Sequence, residues 1–252
     1  MENITSTNNE KIKFYAKLNQ KKFRDETGLF LLENFKLIQE AINRHEKIET
    51  IIIRADAEKK YQNIINQFDN IILVSQPVFN KISDTVTSQG IIAVIKKPQE
   101  KTLNDIQGKT LVLDRIQDAG NVGTLMRSCL GFEFNNIVLI DCASPFSPKV
   151  IRSCGGSIFS LNLVETSESE LISHIKSNNF AVFSADMQGE NLYKIKNIPS
   201  NIMVIVGNEG QGVSDNLSKA STHIVSIPMS KKLESLNAGV SGSIIMSYLS
   251  TL

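Results

Sequence analysis

The sequence predicts an α/β protein in two parts: a small N-terminal α/β domain, and a larger C-terminal domain built on a mostly parallel sheet. Three observations carry this reading. Beyond Lys109, short apolar runs of strand length alternate with segments of helical spacing, the pattern of repeated β-α-β units. Before Lys96, a shorter alternation of the same kind begins and ends on its own. Between them, Lys96 to Lys109 (KKPQEKTLNDIQGK) is polar, with one proline, one glycine and no apolar periodicity, so it reads as a linker. The expected boundaries are residues 1–96, a linker at 97–109, and 110–252.

Taken in order, the opening Met1 to Lys13 is polar and has no apolar core of the kind a signal peptide carries. One helix is expected from Asn9 to Glu26, stopped by Gly28. Leu29 to Leu32 reads as a strand, Phe35 to Asn43 as a helix, and Glu49 to Arg54, with three successive isoleucines, as a buried strand. A helix to Gln67, a strand at Ile71 to Val74, a helix after Pro77 and a strand at Ile91 to Ile95 complete the first domain. In the second, the strands are Thr110 to Asp114, Asn136 to Ile140, Leu161 to Val164, Phe180 to Ala185, Ile202 to Val206 and Ile224 to Ile227, with helices between them.

Composition bounds the function. At 252 residues and 41% hydrophobic content, the chain suits a soluble protein of one large or two ordinary domains. No apolar run approaches the ~18 residues that suggest a membrane span. Cys129, Cys142 and Cys154 show no C-x-x-C spacing, which fits a reducing cytoplasm and argues against a zinc site. No metal is expected, and His45, His174 and His223 have no ligand partners at useful spacing. The net charge of +1 lacks the overall basic excess of many nucleic-acid binders. Charge is local instead. Six basic and no acidic residues lie between Lys11 and Arg24. On one helix, Lys13, Lys17, Lys21 and Arg24 would share a face. That face is either a solvated surface or a stripe that tracks phosphates.

The last fifty residues are the most informative. Val204 to Val206 runs into Gly207-Asn208-Glu209-Gly210-Gln211-Gly212. Ile224 to Ile227 runs into Pro228-Met229 and a loop bearing Glu234-Ser235-Leu236-Asn237, before a small-residue helix from Ala238 to about Ser250. The two loops are expected to lie side by side outside the carboxyl ends of a parallel sheet, where α/β proteins bind ligands. Asp118 to Gly123 also joins a strand to a helix, but lacks the G-x-G-x-x-G of a dinucleotide loop. Asn121 would cap a helix over Val122 to Leu130.

Asn121-x-Gly123-x-x-x-Arg127, then Gly207-Asn208-Glu209-Gly210-x-Gly212, then Ile227-Pro228-Met229 followed by Ser235-Leu236-Asn237, resemble in order the three motifs of the SpoU/TrmH family. Its members are knotted SPOUT-type RNA ribose 2′-O-methyltransferases. The resemblance spans residues 111 to 250, and the N-terminal part resembles that family's substrate-binding domain. It implies a deep trefoil knot, S-adenosyl-L-methionine as methyl donor, a homodimer through the C-terminal domain, and structured RNA as partner, ribosomal RNA ahead of transfer RNA.

Carried onto this chain, the motifs put Gly207, Asn208, Glu209, Gly210, Gly212, Ile227, Met229, Ser235 and Leu236 at the donor. Asn121, Arg127, Glu209, Ser235 and Asn237 then stand at the chemistry. Arg127 is either the base that takes the hydroxyl proton or a clamp on the phosphate beside the target ribose. The clamp suits a guanidinium better, since it keeps its proton far above neutral pH. Glu209 either orients Arg127 or accepts a proton. Arg152 resembles a basic residue facing RNA, and Arg24 resembles an arginine of the substrate-binding fold. Gly239, Ser241, Gly242 and Ser243 leave a flat helix face for close packing between subunits. Lys231 and Lys232 depart from the glycines usual after I-P-M-S, and Glu33-Asn34 departs from a usual E-G pair. An RNA-binding paralogue without catalysis, and a resistance enzyme acting at an antibiotic site, share the same motifs.

Overall fold

A computed structural model of the chain describes residues 1–230 and 232–252. These form two compact units: Met1–Pro98 with Phe146–Arg152, and Gln99–Pro145 with Ser153–Leu252.

The first unit contains β1 (Glu2–Ile4), α1 (Glu10–Lys17), α2 (Lys21–Thr27), β2 (Leu29–Leu32), α3 (Phe35–Asn43) and β3 (Ile48–Arg54). A 3₁₀ turn, Ala55–Tyr61, leads into α4 (Gln62–Ile65), followed by β4 (Ile71–Val74), α5 (Gln76–Ile82) and β5 (Ile91–Lys96). The strands form one mixed sheet in the order β1-β4-β3-β5-β2, parallel across β1, β4 and β3 and antiparallel from β3 through β5 to β2. Ile52, Ile72, Ile92 and Val94 pack one face of it against Ile12, Leu18, Val78 and Phe79. β1 was not expected. It has only Ile4 to bury, and its edge position is set by pairing with β4 rather than by its own pattern.

The helix expected over 9–26 is two helices. Leu18, Asn19 and Gln20 close α1 with tight bonds to the carbonyls of Tyr15, Ala16 and Lys17. Gln20 is extended. Arg24 is buried at 2% exposure, and its Nη1 donates to the freed carbonyls of Leu18 and Asn19, each at 2.9 Å. Asn19 in turn donates to the Ile82 carbonyl. The break satisfies main-chain acceptors that a straight helix would have used. The four-residue stripe therefore does not exist as one face, and Arg24 is a structural cap rather than an exposed cation. Gly28 ends α2 in the left-handed conformation, as its position suggested.

The departure at Glu33-Asn34 also has a use. Asn34 caps α3 by accepting the Lys36 N–H at 2.9 Å. The Glu33 carboxylate gathers the turn after α5, accepting from Asp84 N–H at 3.0 Å and from the Thr85 hydroxyl at 2.6 Å.

The second unit opens with a 3₁₀ turn, Leu103–Asp105, under a reciprocal cap between Thr102 and Asp105. It continues through β6 (Lys109–Asp114), α6 (Ala119–Gly131), β7 (Asn136–Ile140), and α7 (Pro148–Cys154), which begins in the inserted segment of the first unit. Then come β8 (Asn162–Glu165), α8 (Glu168–Ser177), β9 (Ala181–Asn191), β10 (Ile202–Gly207), α9 (Asp215–Ala220), β11 (His223–Ser226) and α10 (Ala238–Leu249). The sheet runs β11-β9-β10-β6-β7-β8, and every neighbouring pair is parallel. β10 is buried along its whole length, which explains its unbroken apolar run.

The strand order separates the two strands that lead into the later motifs. β11 is not beside β10, because β9 lies between them. The neighbour of β10 is β6, with Gly207 opposite Asp114. The chain leaves β6 toward β7 and β8 on one side and later returns to β10 and β9 on the other. The carboxyl ends of β6 and β10 thus form the switch point where open α/β sheets bind ligands.

Candidate active site

The site is assembled at that switch point. Asp118, not Asn121, caps α6: its carboxylate accepts the Asn121 N–H at 2.9 Å. The helix starts three residues earlier than expected, at Ala119 rather than Val122. This frees the Asn121 side chain, which is buried and donates through Nδ2 to Glu209 Oε1 at 2.9 Å. The same oxygen lies 3.4 Å from the Asp118 N–H. Burial by itself pushes the Glu209 carboxyl up. The Asn121 amide and the N–H groups of Glu209, Asp118 and Gln117 outweigh it and hold the group below the ordinary carboxylate range. Glu209 is therefore an ionised acceptor and a poor base near neutrality. It makes no ion pair with Arg127.

Asn237 caps α10, accepting the Val240 N–H at 3.3 Å. Its Oδ1 and the Asn121 Oδ1 flank the backbone of Gly239, where a Cβ would lie 3.1 and 3.3 Å from them. Asn121, Glu209 and Asn237 are thus brought together from three distant segments. Arg127, further along α6, is exposed, and among the described residues it makes no hydrogen bond or ion pair. Its five donors are open to a ligand. Ser235 is exposed as well.

The loop after β10 is held from within. The Asn208 side chain donates to the Arg115 carbonyl at 2.8 Å and accepts the N–H groups of Gly210 and Gln211 at 3.0 and 3.1 Å. Gly207 permits the loop to fold back: a Cβ there would sit 2.1 Å from the Gly212 carbonyl carbon and the Val213 nitrogen. Gly212 turns the chain at φ 70°. Sequence reasoning missed two residues of this scaffold. Arg115 clasps the buried Asp114 carboxylate at 2.8 and 3.1 Å and reaches Gln211 Oε1 at 3.1 Å. Asp114 also accepts the Ser214 N–H at 2.7 Å. An acidic residue ending an apolar central strand is the signal that could have exposed the pair.

The remaining donor-site expectations lie on the second loop. Ile227 is half-buried just past β11, and Met229 is exposed. Met229, Ser235 and Leu236 make no hydrogen bond with other described residues, so their main-chain donors and acceptors are available. Open main-chain groups and the exposed Met229 side chain are of a kind that can hold a flat ring and its sugar. Lys232 is exposed, and Lys231 lies outside the described residues.

The basic residues are less free than the sequence suggested. Lys13 pairs with Glu10 at 2.7 Å, Lys21 with Asp25 at 3.0 Å, and Arg152 with Asp84 at 2.8 Å. Lys17 lies over the Phe23 ring at 5.0 Å. The small-residue face of α10 is also occupied within the chain. Ser243 bonds Ser128 of α6 at 2.6 Å, and a Cβ on Gly242 would be 2.5 Å from Leu125 Cδ2. It therefore packs on α6 and is not free for a second subunit.

The SpoU rRNA Methylase family model matches residues 108–247, and an MRM3-like substrate binding domain matches residues 9–93. The chain is 30% identical over 250 residues to the 23S rRNA (guanosine(2553)-2′-O)-methyltransferase RlmP of Bacillus subtilis, covering 99% of each. It is 27% identical over 175 residues to the 23S rRNA (adenosine(1067)-2′-O)-methyltransferase of Streptomyces azureus, covering 67% of this chain and 65% of that one. The AdoMet-bound rRNA methyltransferase from Sinorhizobium meliloti superimposes with a TM-score of 0.86 at 25% identity, over 98% of this chain and 96% of the other. With its motifs assembled at the switch point and matched along nearly its whole length, the chain belongs to the SpoU rRNA methylase family.

Proposed function

We propose that this protein transfers a methyl group from S-adenosylmethionine to a ribose 2′-hydroxyl of large-subunit ribosomal RNA. The observation that carries the reading is the convergence of Asn121, Glu209 and Asn237, with the open main chain of Leu236 next to Asn237 in the sequence. Bound S-adenosylmethionine would supply a methyl group on a positively charged sulfur; the hydroxyl oxygen would take it as the sulfur–methyl bond breaks with its electron pair left on sulfur, the hydroxyl proton passing to solvent water. Glu209 keeps the Asn121 amide in one orientation, with Oδ1 turned toward the start of α10. Arg127 binds the phosphate next to the target ribose and stabilises the developing alkoxide, a role that needs no shift of its proton. The nucleotides named for the two relatives are the first positions to examine.

The remaining parts of the proposal concern assembly. The first unit would grip the RNA through Lys13, Lys17 and Lys21, with Arg152 exchanging Asp84 for a phosphate. Lys13 and Lys17 line a hollow of about 270 Å³ with Lys81, a basic surface without Arg24. A homodimer would use Leu130 on α6 and Val240 on α10, apolar side chains that remain 41% and 46% exposed. A trefoil knot is supported by α10, which returns from the edge strand β11 to pack on β10 at the centre of the sheet.

Single-turnover methylation of 23S ribosomal RNA tests the chemistry. Arg127→Ala should keep donor affinity and lose roughly 10²–10³-fold in rate. Arg127→Lys should be poor at every pH if the arginine is a clamp, and should gain rate with pH if it is the base. Wild-type turnover by Arg127→Ala would sink both roles. A non-catalytic paralogue would show no methyl transfer at all, even with donor bound.

A further inference from the structure

The loop after β10 is closed within itself. Asn208 and Gly212 exchange main-chain bonds at 3.1 and 2.9 Å, and the Asn208 carboxamide accepts the N–H groups of Gly210 and Gln211. These bonds fix the shape of the loop. They leave open where that shape stands relative to the segment that leads into α6 and carries Asn121. The Glu209–Asn121 bond alone would let the loop pivot about it.

Asp114, the last residue of β6, and Arg115 after it tie the loop at three further points. At its start, the Arg115 carbonyl accepts the Asn208 Nδ2 at 2.8 Å. In its middle, Arg115 Nη1 donates to Gln211 Oε1 at 3.1 Å, and Nη2 lies 3.5 Å from the Gly212 carbonyl oxygen. Beyond its end, the Asp114 carboxylate accepts the Ser214 N–H at 2.7 Å. Arg115 Nε and Nη2 grip the two oxygens of that carboxylate at 2.8 and 3.1 Å. Two features set this arrangement apart from ordinary packing. Asp114 is 1% exposed, and a buried ion pair adds little stability over apolar groups of the same volume. What it supplies is direction, because the planar guanidinium meets a carboxylate in one geometry. Arg115 also stands at φ 59°, in the left-handed region that glycine enters more easily. In that conformation its N–H donates to the Ile140 carbonyl at 2.8 Å while its own carbonyl serves Asn208. The backbone cost of a long side chain there has to be offset by what that side chain contacts.

We propose that Arg115, seated on Asp114, is a positioning residue for the methyl-donor loop, holding Asn208 to Gly212 at the spacing from α6 that donor binding requires. The inference rests on the donor-binding role proposed for that loop, and it concerns donor affinity rather than the chemical step. Gln211 shares the role. The G-N-E-G-x-G motif leaves its position unspecified, yet its side chain is where the guanidinium takes hold of the loop.

The test uses the full-length protein and S-adenosylmethionine itself. Arg115→Ala is uninformative, since it strips a buried carboxylate of its cation and destabilises the protein whatever its role. Arg115→Lys keeps the charge beside Asp114, but a single nitrogen lacks the planar fork that serves Asp114 and Gln211 together. It should melt close to wild type and bind S-adenosylmethionine about tenfold more weakly by calorimetry, the loss of one hydrogen bond to a charged group. In methyl transfer to 23S ribosomal RNA the loss should fall on the donor KM rather than on kcat. Gln211→Ala, at an exposed position, should weaken donor binding in the same direction. Combining the two should add little, because both remove one bond. Should Arg115→Lys fail to fold, Gln211→Ala carries the comparison. Wild-type donor affinity in either folded variant, or full additivity between them, would overturn the proposal. A loss of affinity matched by a fall in melting temperature would also overturn it and mark a merely structural pair. If the wild type binds no S-adenosylmethionine, the donor reading falls by itself. Hydrogen exchange over residues 207–214 then decides whether Arg115 positions the loop: faster exchange in both variants supports it, and unchanged exchange overturns it.

Discussion

Replacing Asn121 with alanine tests the central geometry of the site. The change removes the amide that donates to Glu209 Oε1 at 2.9 Å and leaves that oxygen with the longer 3.4 Å contact to Asp118 N–H. A shielded hydrogen bond to a charged group contributes about 1.5–3 kcal/mol. The Glu209 carboxylate is exposed to solvent, so screening reduces this to about 1 kcal/mol. In a domain of this size, that is a fall in melting temperature of roughly 2–4 °C. The sign of the pH dependence follows from the depressed carboxyl. Its contribution is complete above the unfolded value of about 4.3 and is lost as pH falls through the lower folded value. Urea unfolding of wild type and Asn121→Ala should therefore differ fully at pH 7 and progressively less below pH ~4. Glu209→Gln keeps an acceptor but no charge, so its Asn121 coupling should show no such titration. Equal destabilisation of Asn121→Ala at both pH values, or none at pH 7, would refute the reasoning.

Gly242→Ala forces a methyl to within 2.5 Å of Leu125 Cδ2 and 2.9 Å of Val206 Cγ2, and should cost about 1–3 kcal/mol by overpacking. Adding Leu125→Ala should recover part of that loss, which a double-mutant cycle in urea measures. Arg24→Ala should destabilise the first unit by removing two 2.9 Å bonds to main-chain carbonyls, while leaving the salt slope of RNA binding unchanged in any protein that remains folded. Substituting Lys13, Lys17 and Lys21 with glutamine should flatten that slope instead, as filter binding across a salt series will show. Burial pushes the Cys142 and Cys154 thiols up to about 11, so iodoacetamide should label neither at pH 7 until the protein unfolds.

Much of the fold is legible in local pattern. The strands at Asn136–Ile140 and Ile202–Gly207 are continuous apolar runs because both sheet faces are covered, and periodicity alone finds them within a residue. Gly28 marks a helix end, and the three glycines after β10 mark a tight turn, because glycine's backbone freedom is a local property. The ordered motifs named the family for the same reason: each is a short segment that must be intact in itself.

Other features depend on partners far along the chain. The break between α1 and α2 is held by Asn19 reaching the Ile82 carbonyl and by Arg24 folding back on Leu18 and Asn19, so a basic stripe at good helical spacing never forms. Asp118 and Asn121 are both sound caps by residue type. Glu209, 88 residues away, takes the Asn121 amide, and the capping bond comes from Asp118. The small face of α10 reads as a surface for another subunit until α6 is packed against it. Periodicity and capping preference act over one or two turns of chain. Hydrogen-bond partners and close approaches between distant segments depend on the order of strands in the sheet, and that order is settled only when the whole core is buried together.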